Sequence, residues 1–123
     1  MTRLFAIVLG VLLLSGCSEE GTRLSAEELD ALVVDGVRIS LQGYGFSGSA
    51  HIHPDGRARL IVPGRGEDRG EWWVDGDLIC SKWRRVRQGE TLCAHIGTFP
   101  DGSYELRSPK QSFQWGTFVV DGV

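Results

Sequence analysis

The chain of 123 residues is poor in several things at once: one methionine (Met1), two tyrosines, three histidines and four prolines. With no methionine beyond the first position, a Met-rich groove and thioether ligation of a metal are excluded. Basic residues fall short of acidic ones, 13 against 16, giving a formal charge of −3. That deficit argues against nucleic acid as a partner, because phosphate binding wants clustered Lys and Arg. No apolar run approaches the ~20 residues of a membrane-spanning helix. The 17 glycines follow no Gly-x-y period, which excludes collagen. What is present is ordinary for a folded globular chain: 41% hydrophobic and 24% charged residues. At this length one domain is expected, since a second would have too little core.

The first positions read as an address. Arg3 supplies a positive start, and positions 4–14 are apolar throughout. Eleven residues reach about 16 Å as a helix, well short of a hydrocarbon core of roughly 30 Å. A basic start followed by such a run reads as a secretory signal. It ends in Leu14-Ser15-Gly16-Cys17, which resembles the lipobox of bacterial lipoproteins. The resemblance implies that the peptide is cut before Cys17 and that this cysteine carries fatty acyl chains. Each buried methylene adds about 0.8 kcal/mol, so two or more chains anchor stably. The expected organisation is a signal peptide at 1–16, a lipidated tether at 17–24 and a single β-rich domain at 25–123. Under the sorting rule of enterobacterial lipoproteins, Ser18 implies the periplasmic face of the outer membrane rather than the inner membrane. The membrane is then a partner through the acyl anchor, and the mature chain has a formal charge of −4.

With Cys17 lipidated, Cys80 and Cys93 remain as an even pair in an oxidising compartment. A disulfide between them is expected, worth on the order of 3 kcal/mol for a loop of this size. A zinc pair and a reactive thiol are the alternatives. The spacing is not Cys-x-x-Cys, so redox catalysis is weakly supported.

Ser25-Ala26-Glu27-Glu28 fits an N-cap with a capping box, and Leu29, Leu32 and Val33 follow at helical spacing. One short N-terminal helix is expected there. From Val37 onward the period becomes two. Candidate strands cover 37–41, 46–53, 57–62, 70–74, 77–86, 91–96, 104–107 and 113–120. Asp-Gly occurs five times, at Asp35, Asp55, Asp75, Asp101 and Asp121, a pair favoured in type I′ hairpin turns. The expected class is all-β: an antiparallel meander closing into a small barrel or sandwich of about eight strands, which also removes exposed edges. A two-residue Asp75-Gly76 loop would pair Trp73 with Leu78 and Trp72 with Ile79. A turn near Gln88-Gly89 would bring Cys93 opposite Cys80. Trp72 and Trp73 must then point to opposite faces.

Sequence offers little chemistry. His51 and His53 share a face on a strand, and His95 or Asp55 would be a third ligand. Strand alternation gives the simpler reading, a polar outer side, so no metal and no cofactor are expected. Lys82, Arg84, Arg85 and Arg87 flank Trp83; alternation on a strand sends Lys82 and Arg84 one way and Arg85 and Arg87 the other. They read as a solubilising hairpin tip or, together with an exposed Trp73, as a surface for an anionic partner. Gly64-Arg65-Gly66 with Gly70 lacks the P-loop Lys-(Ser/Thr) and reads as a flexible connection. No nucleophile motif occurs, and catalysis is not expected.

From about Val37 to Gly122 the chain resembles small exported proteobacterial domains of unknown function. The matching pattern is Pro54-Asp55-Gly56, Gly70-Glu71-Trp72, Cys80-Ser81-Lys82-Trp83, Cys93 and Tyr104. The resemblance implies an extracytoplasmic β-domain and no activity. A second likeness is to membrane-bound inhibitors of c-type lysozyme, whose Ser-Gly-x-x-Tyr motif is answered here by Ser47-Gly48-Ser49-Ala50 with His51 in place of Tyr. The functional expectation is a lipid-anchored, non-catalytic binding or structural module of the cell envelope. An envelope protein or glycan would meet Trp73 and the basic hairpin. The alternatives are a carrier holding a small apolar ligand in the barrel and a lysozyme-inhibitor-like protein.

Overall fold

Alternation in the sequence becomes alternation between inside and outside. In β2 (Val37–Gly43), Val37 and Ile39 are buried while Arg38, Ser40 and Gln42 face out. The same alternation runs along β4 (Arg57–Val62) and β5 (Gly66–Asp75) and is less strict in β3 (Phe46–Ile52), β6 (Leu78–Trp83), β7 (Thr91–Thr98), β8 (Tyr104–Arg107) and β9 (Gln114–Gly122), the last facing a register shift at Leu106/Arg107. A computed structural model describes residues 20–43, 45–110 and 113–122. The expected signal peptide and Cys17 lie outside the described residues. Each strand from β2 to β9 pairs antiparallel with its neighbour in sequence, and β9 returns to pair with β2. The result is a closed eight-stranded up-and-down barrel, as the sequence led us to expect, in its barrel rather than its sandwich form.

One further strand was not foreseen. β1 (Thr22–Arg23) pairs with Thr98 and Gly97 of β7, where β6 has run out, and Leu24 N–H continues the ladder to Ile96 O at 2.8 Å. The helix α1 (Ala26–Val33) follows it and is therefore internal rather than N-terminal. The capping box forms: Ser25 Oγ accepts from Glu28 N–H at 3.2 Å, and Glu28 Oε1 accepts from Ser25 N–H at 3.0 Å. Two turns are too few for a stable isolated helix, so packing must hold it. Leu29 (0% exposed) and Val33 are buried against the wall residues Val37, Ile39 and Ile96. α1 is thus the floor of the barrel. The segment read as a tether is, from Glu20 on, part of the fold.

Three local expectations need correction. None of the five aspartates before glycine has the positive φ that a type I′ turn requires. Pro54 and Pro100 explain two of them. Each sets the first central position of a type I turn, and the left-handed residue is the glycine that follows, with Gly56 N–H bonded to His53 O and Gly102 N–H to Phe99 O. In the β5–β6 hairpin the loop is Gly76-Asp77, with Gly76 at φ 63°, and Trp73 faces Cys80. The register moves by two residues, so every side chain keeps its expected face. The glycines at 66 and 70 are strand residues of β5, not a flexible connection. A Cβ at Gly70 would stand 3.0 Å from the Trp83 ring, so glycine here serves close packing.

Candidate functional site: a hollow apolar barrel

The interior is not filled. Leu41, Ile52, Trp72, Ile79 and Trp83 point inward yet remain only half-buried. They surround a cavity of about 350 Å³ that runs from Leu29, Leu32 and Val33 on the helix to Phe46, Val86, Arg87 and Trp115 at the opposite end. That lies at the lower end of the range for small-molecule sites. An eight-stranded barrel has an interior wide enough to be filled by side chains or to hold one small ligand.

The lining is nearly all hydrocarbon and aromatic ring. Among the described residues its polar members are Gln42, Ser81 and Arg87, with no carboxylate and no imidazole. Trp83 Nε1–H donates to Ser81 Oγ at 3.0 Å, and Trp72 Nε1–H donates to His53 O at 2.7 Å. Both indoles therefore satisfy their one polar atom within the wall, leaving the space between them apolar. Burial is graded along the axis. It is complete at Leu29, and at the far end Phe46 is 38% exposed. The barrel has a closed floor and an open mouth.

Asp68 shapes that mouth. It is buried on the inner side of β5, where its carboxylate accepts from Arg85 N–H at 3.1 Å and Val86 N–H at 2.9 Å. Arg85 Nη2 also donates to Glu67 O. Burial works to raise the Asp68 pKa, but these amide bonds and Arg85 outweigh it and hold the carboxyl below its ordinary range. The chain is pulled off the sheet after Trp83, so 84–89 is a turn and not the end of a strand. The sorting of Lys82, Arg84, Arg85 and Arg87 onto two strand faces therefore fails beyond Lys82. Arg87 and Gln88 adopt left-handed backbone, φ 54° and 56°, ahead of Gly89 at 77°. Non-glycine residues take that conformation at a cost, and such positions cluster at functional sites. Here it sets Arg87 on the cavity's rim.

The other residues singled out from sequence are dispersed. Trp73 is on the outer wall, 38% exposed, opposite Cys80. Lys82 lies diagonal to it across the sheet, opposite Glu71, and the three arginines sit on the mouth loop. Cys80 and Cys93 face each other in the β6–β7 ladder and are disulfide-bonded, with Cα atoms 4.0 Å apart. His51 and His53 do meet, with ring centroids 3.9 Å apart. Burial, His53, Arg38 and Arg59 together lower the His51 pKa. His95 stands on β7, with β4, β5 and β6 intervening, near Asp77 at 3.8 Å. No group of three or more metal-ligating side chains occurs among the described residues. Ser47, Gly48 and Ser49 are within β3, and a side chain at Gly48 would collide with the Ile61 carbonyl.

Sequence reasoning missed Phe46, Trp115 and Asp68 at the mouth, and Glu105 on the outer wall. Asp68 carried a signal: an acid at an inward position of an alternating strand. Glu105 is 1% exposed, bound to Gly21 N–H at 3.0 Å, Arg107 at 2.9 Å and Gln114 at 3.0 Å. Burial works to raise its pKa, and these donors outweigh it, so the carboxyl titrates below its ordinary value.

The structure defines an eight-stranded barrel with a plugged floor, an apolar interior and a cationic rim. Comparison with protein-family models, curated proteins and solved structures finds no match to this chain.

Proposed function

We propose that this protein is a non-catalytic carrier that holds one small apolar or amphiphilic molecule inside the barrel, at a cell envelope to which an acylated Cys17 anchors it. The observation that carries the reading is the cavity of about 350 Å³ with an almost wholly apolar lining. A mature chain of 107 residues is short for an eight-stranded barrel with a cavity. Connections of two to seven residues leave enough chain for eight strands, and small residues on the inner wall, Ala50, Ala58 and Ala94, keep the interior open. Arg87 at the rim suits a ligand with an acidic head, because a guanidinium binds a carboxylate or phosphate through two hydrogen bonds. Binding through the interior now has more support than binding through Trp73, which shares no patch with the arginines.

The test is displacement of a fluorescent fatty-acid analogue, with native mass spectrometry for stoichiometry. One molecule per chain is expected, displaced by unlabelled fatty acid. Ala50→Phe should abolish binding while the disulfide and circular dichroism stay intact. Arg87→Gln should weaken binding of the acid but not of the corresponding alcohol. Probe binding that survives the filled cavity, or no binding at all, overturns the proposal.

A further inference from the structure

Charge is sorted along the barrel axis. In an up-and-down meander, alternate connections emerge at the same end. The connections beside the helix (34–36, 53–56, 76–77 and 99–103) carry Asp35, Asp55, Asp77 and Asp101 and no Lys or Arg. The helix adds Glu27, Glu28 and Asp30. Those at the mouth carry Arg65, Arg84, Arg85, Arg87 and Lys110 against Glu90. A chain of net charge −3 therefore has a distinctly cationic end.

The same end carries exposed aromatic side chains. Phe46 is 38% and Phe113 45% exposed, and Phe113 packs edge-on against Trp115 with ring centroids 6.4 Å apart. Ser108 N–H bonds to Phe113 O at 2.9 Å. Cations interleaved with exposed aromatics match an anionic lipid surface, where the charges meet headgroups and the rings enter the interface. A soluble polyanion would account for the arginines and leave Phe46 and Phe113 unexplained.

We propose that the mouth of the barrel docks onto an anionic phospholipid bilayer, with Arg65, Arg84 and Lys110 on headgroups and Phe46 and Phe113 in the interface. The acidic helix end is repelled by the same surface, so the barrel stands with its axis across the bilayer plane and its cavity facing the lipid. Each cation brought to such a surface is worth about a fivefold gain in partition, so this orientation dominates over a side-on one. The argument rests on the surface of the protein and holds whether or not the cavity has an occupant.

The experiment is hydroxyl-radical footprinting of the full chain on phosphatidylcholine vesicles with and without phosphatidylglycerol. We expect Phe46 and Phe113 to be protected only on the anionic vesicles. Phe99, in the connection at the helix end, should be oxidised equally on both. The protection should be lost at high salt and in the double variant Arg65→Gln/Arg84→Gln, whose two sites are exposed. Protection of Phe99 in place of Phe46 and Phe113 overturns the proposal. So does equal protection on both vesicles, no protection on either, or protection that survives the double variant. Rim protection by a soluble polyanionic glycan but not by anionic vesicles also overturns it.

Discussion

The side chain of Glu105 occupies the space that a side chain at Gly97 would need: a Cβ at Gly97 would stand 2.9 Å from Glu105 Oε2 and 3.0 Å from its Cγ. The carboxylate lies flat across β7 and binds both the arriving N-terminal segment at Gly21 and the Arg107 guanidinium. Glu105→Gln would remove the buried counter-charge of that guanidinium, itself largely buried, and leave the exposed Glu20 carboxylate at 3.6 Å. Breaking a buried pair from one side costs about 3 kcal/mol. For a domain of this size the expected fall in Tm is roughly 10–20 °C. An unchanged melt by circular dichroism would contradict this role.

Stability should fall with acid in two stages. His95 has its pKa lowered from the ordinary 6.5, first by burial and then by Arg23. His51 is lowered for similar reasons. The unfolded chain then takes up these protons first, so their contribution is complete above pH 6.5 and declines as pH falls below it. Glu105 and Asp68 are lowered from 4.5 and 3.8, so what they add is present above those values and lost beneath them. Thermal melts should be flat above neutrality, dip below pH 6.5 and drop again below pH 4.5. His95→Gln should shrink the first dip and leave the second.

Gly70→Ala tests the packing of the inner wall. A methyl there meets the Lys82 carbonyl and the Trp83 ring, which lines the cavity. Overpacking of this kind costs about 1–3 kcal/mol. Urea unfolding should register the loss, and tryptophan emission should shift as Trp83 moves.

Replacing both Cys80 and Cys93 by Ala removes the staple between β6 and β7. The expected cost is about 3 kcal/mol, read as a lower urea midpoint than that of the oxidised protein. Coincident unfolding curves for the two proteins would refute it.

Much of this architecture was legible. Most of the barrel strands show period-two alternation from Val37 onward, the capping box Ser25/Glu28 announced the helix, and parity announced the disulfide. β1 was not, because two residues carry no periodicity. The Gly76-Asp77 turn was misplaced because Asp75-Gly76 and Gly76-Asp77 both satisfy turn chemistry. The exact loop is decided by the strands it joins. The cavity was not legible either, since its volume depends on how residues as far apart as Val37 and Trp115 meet across the barrel. The sorting of charge was written in the chain all along. It needed the meander topology to reveal that the four Asp-Gly pairs from Asp35 to Asp101 fall at one end and the mouth arginines at the other.

The order of strands also sets how the chain must fold. Each hairpin from β2 to β9 is local, but the seam that closes the barrel joins partners such as Ser40 and Asp121, 81 positions apart and bonded at 2.6 Å. Gly21 and Glu105 are separated by 84. Such distant pairings raise contact order and slow folding. Until they form, both β2 and β9 are open edges able to pair with another chain. The protein's period of greatest risk of aggregation is therefore the interval before that seam closes, and the reach from first strand to last sets its length.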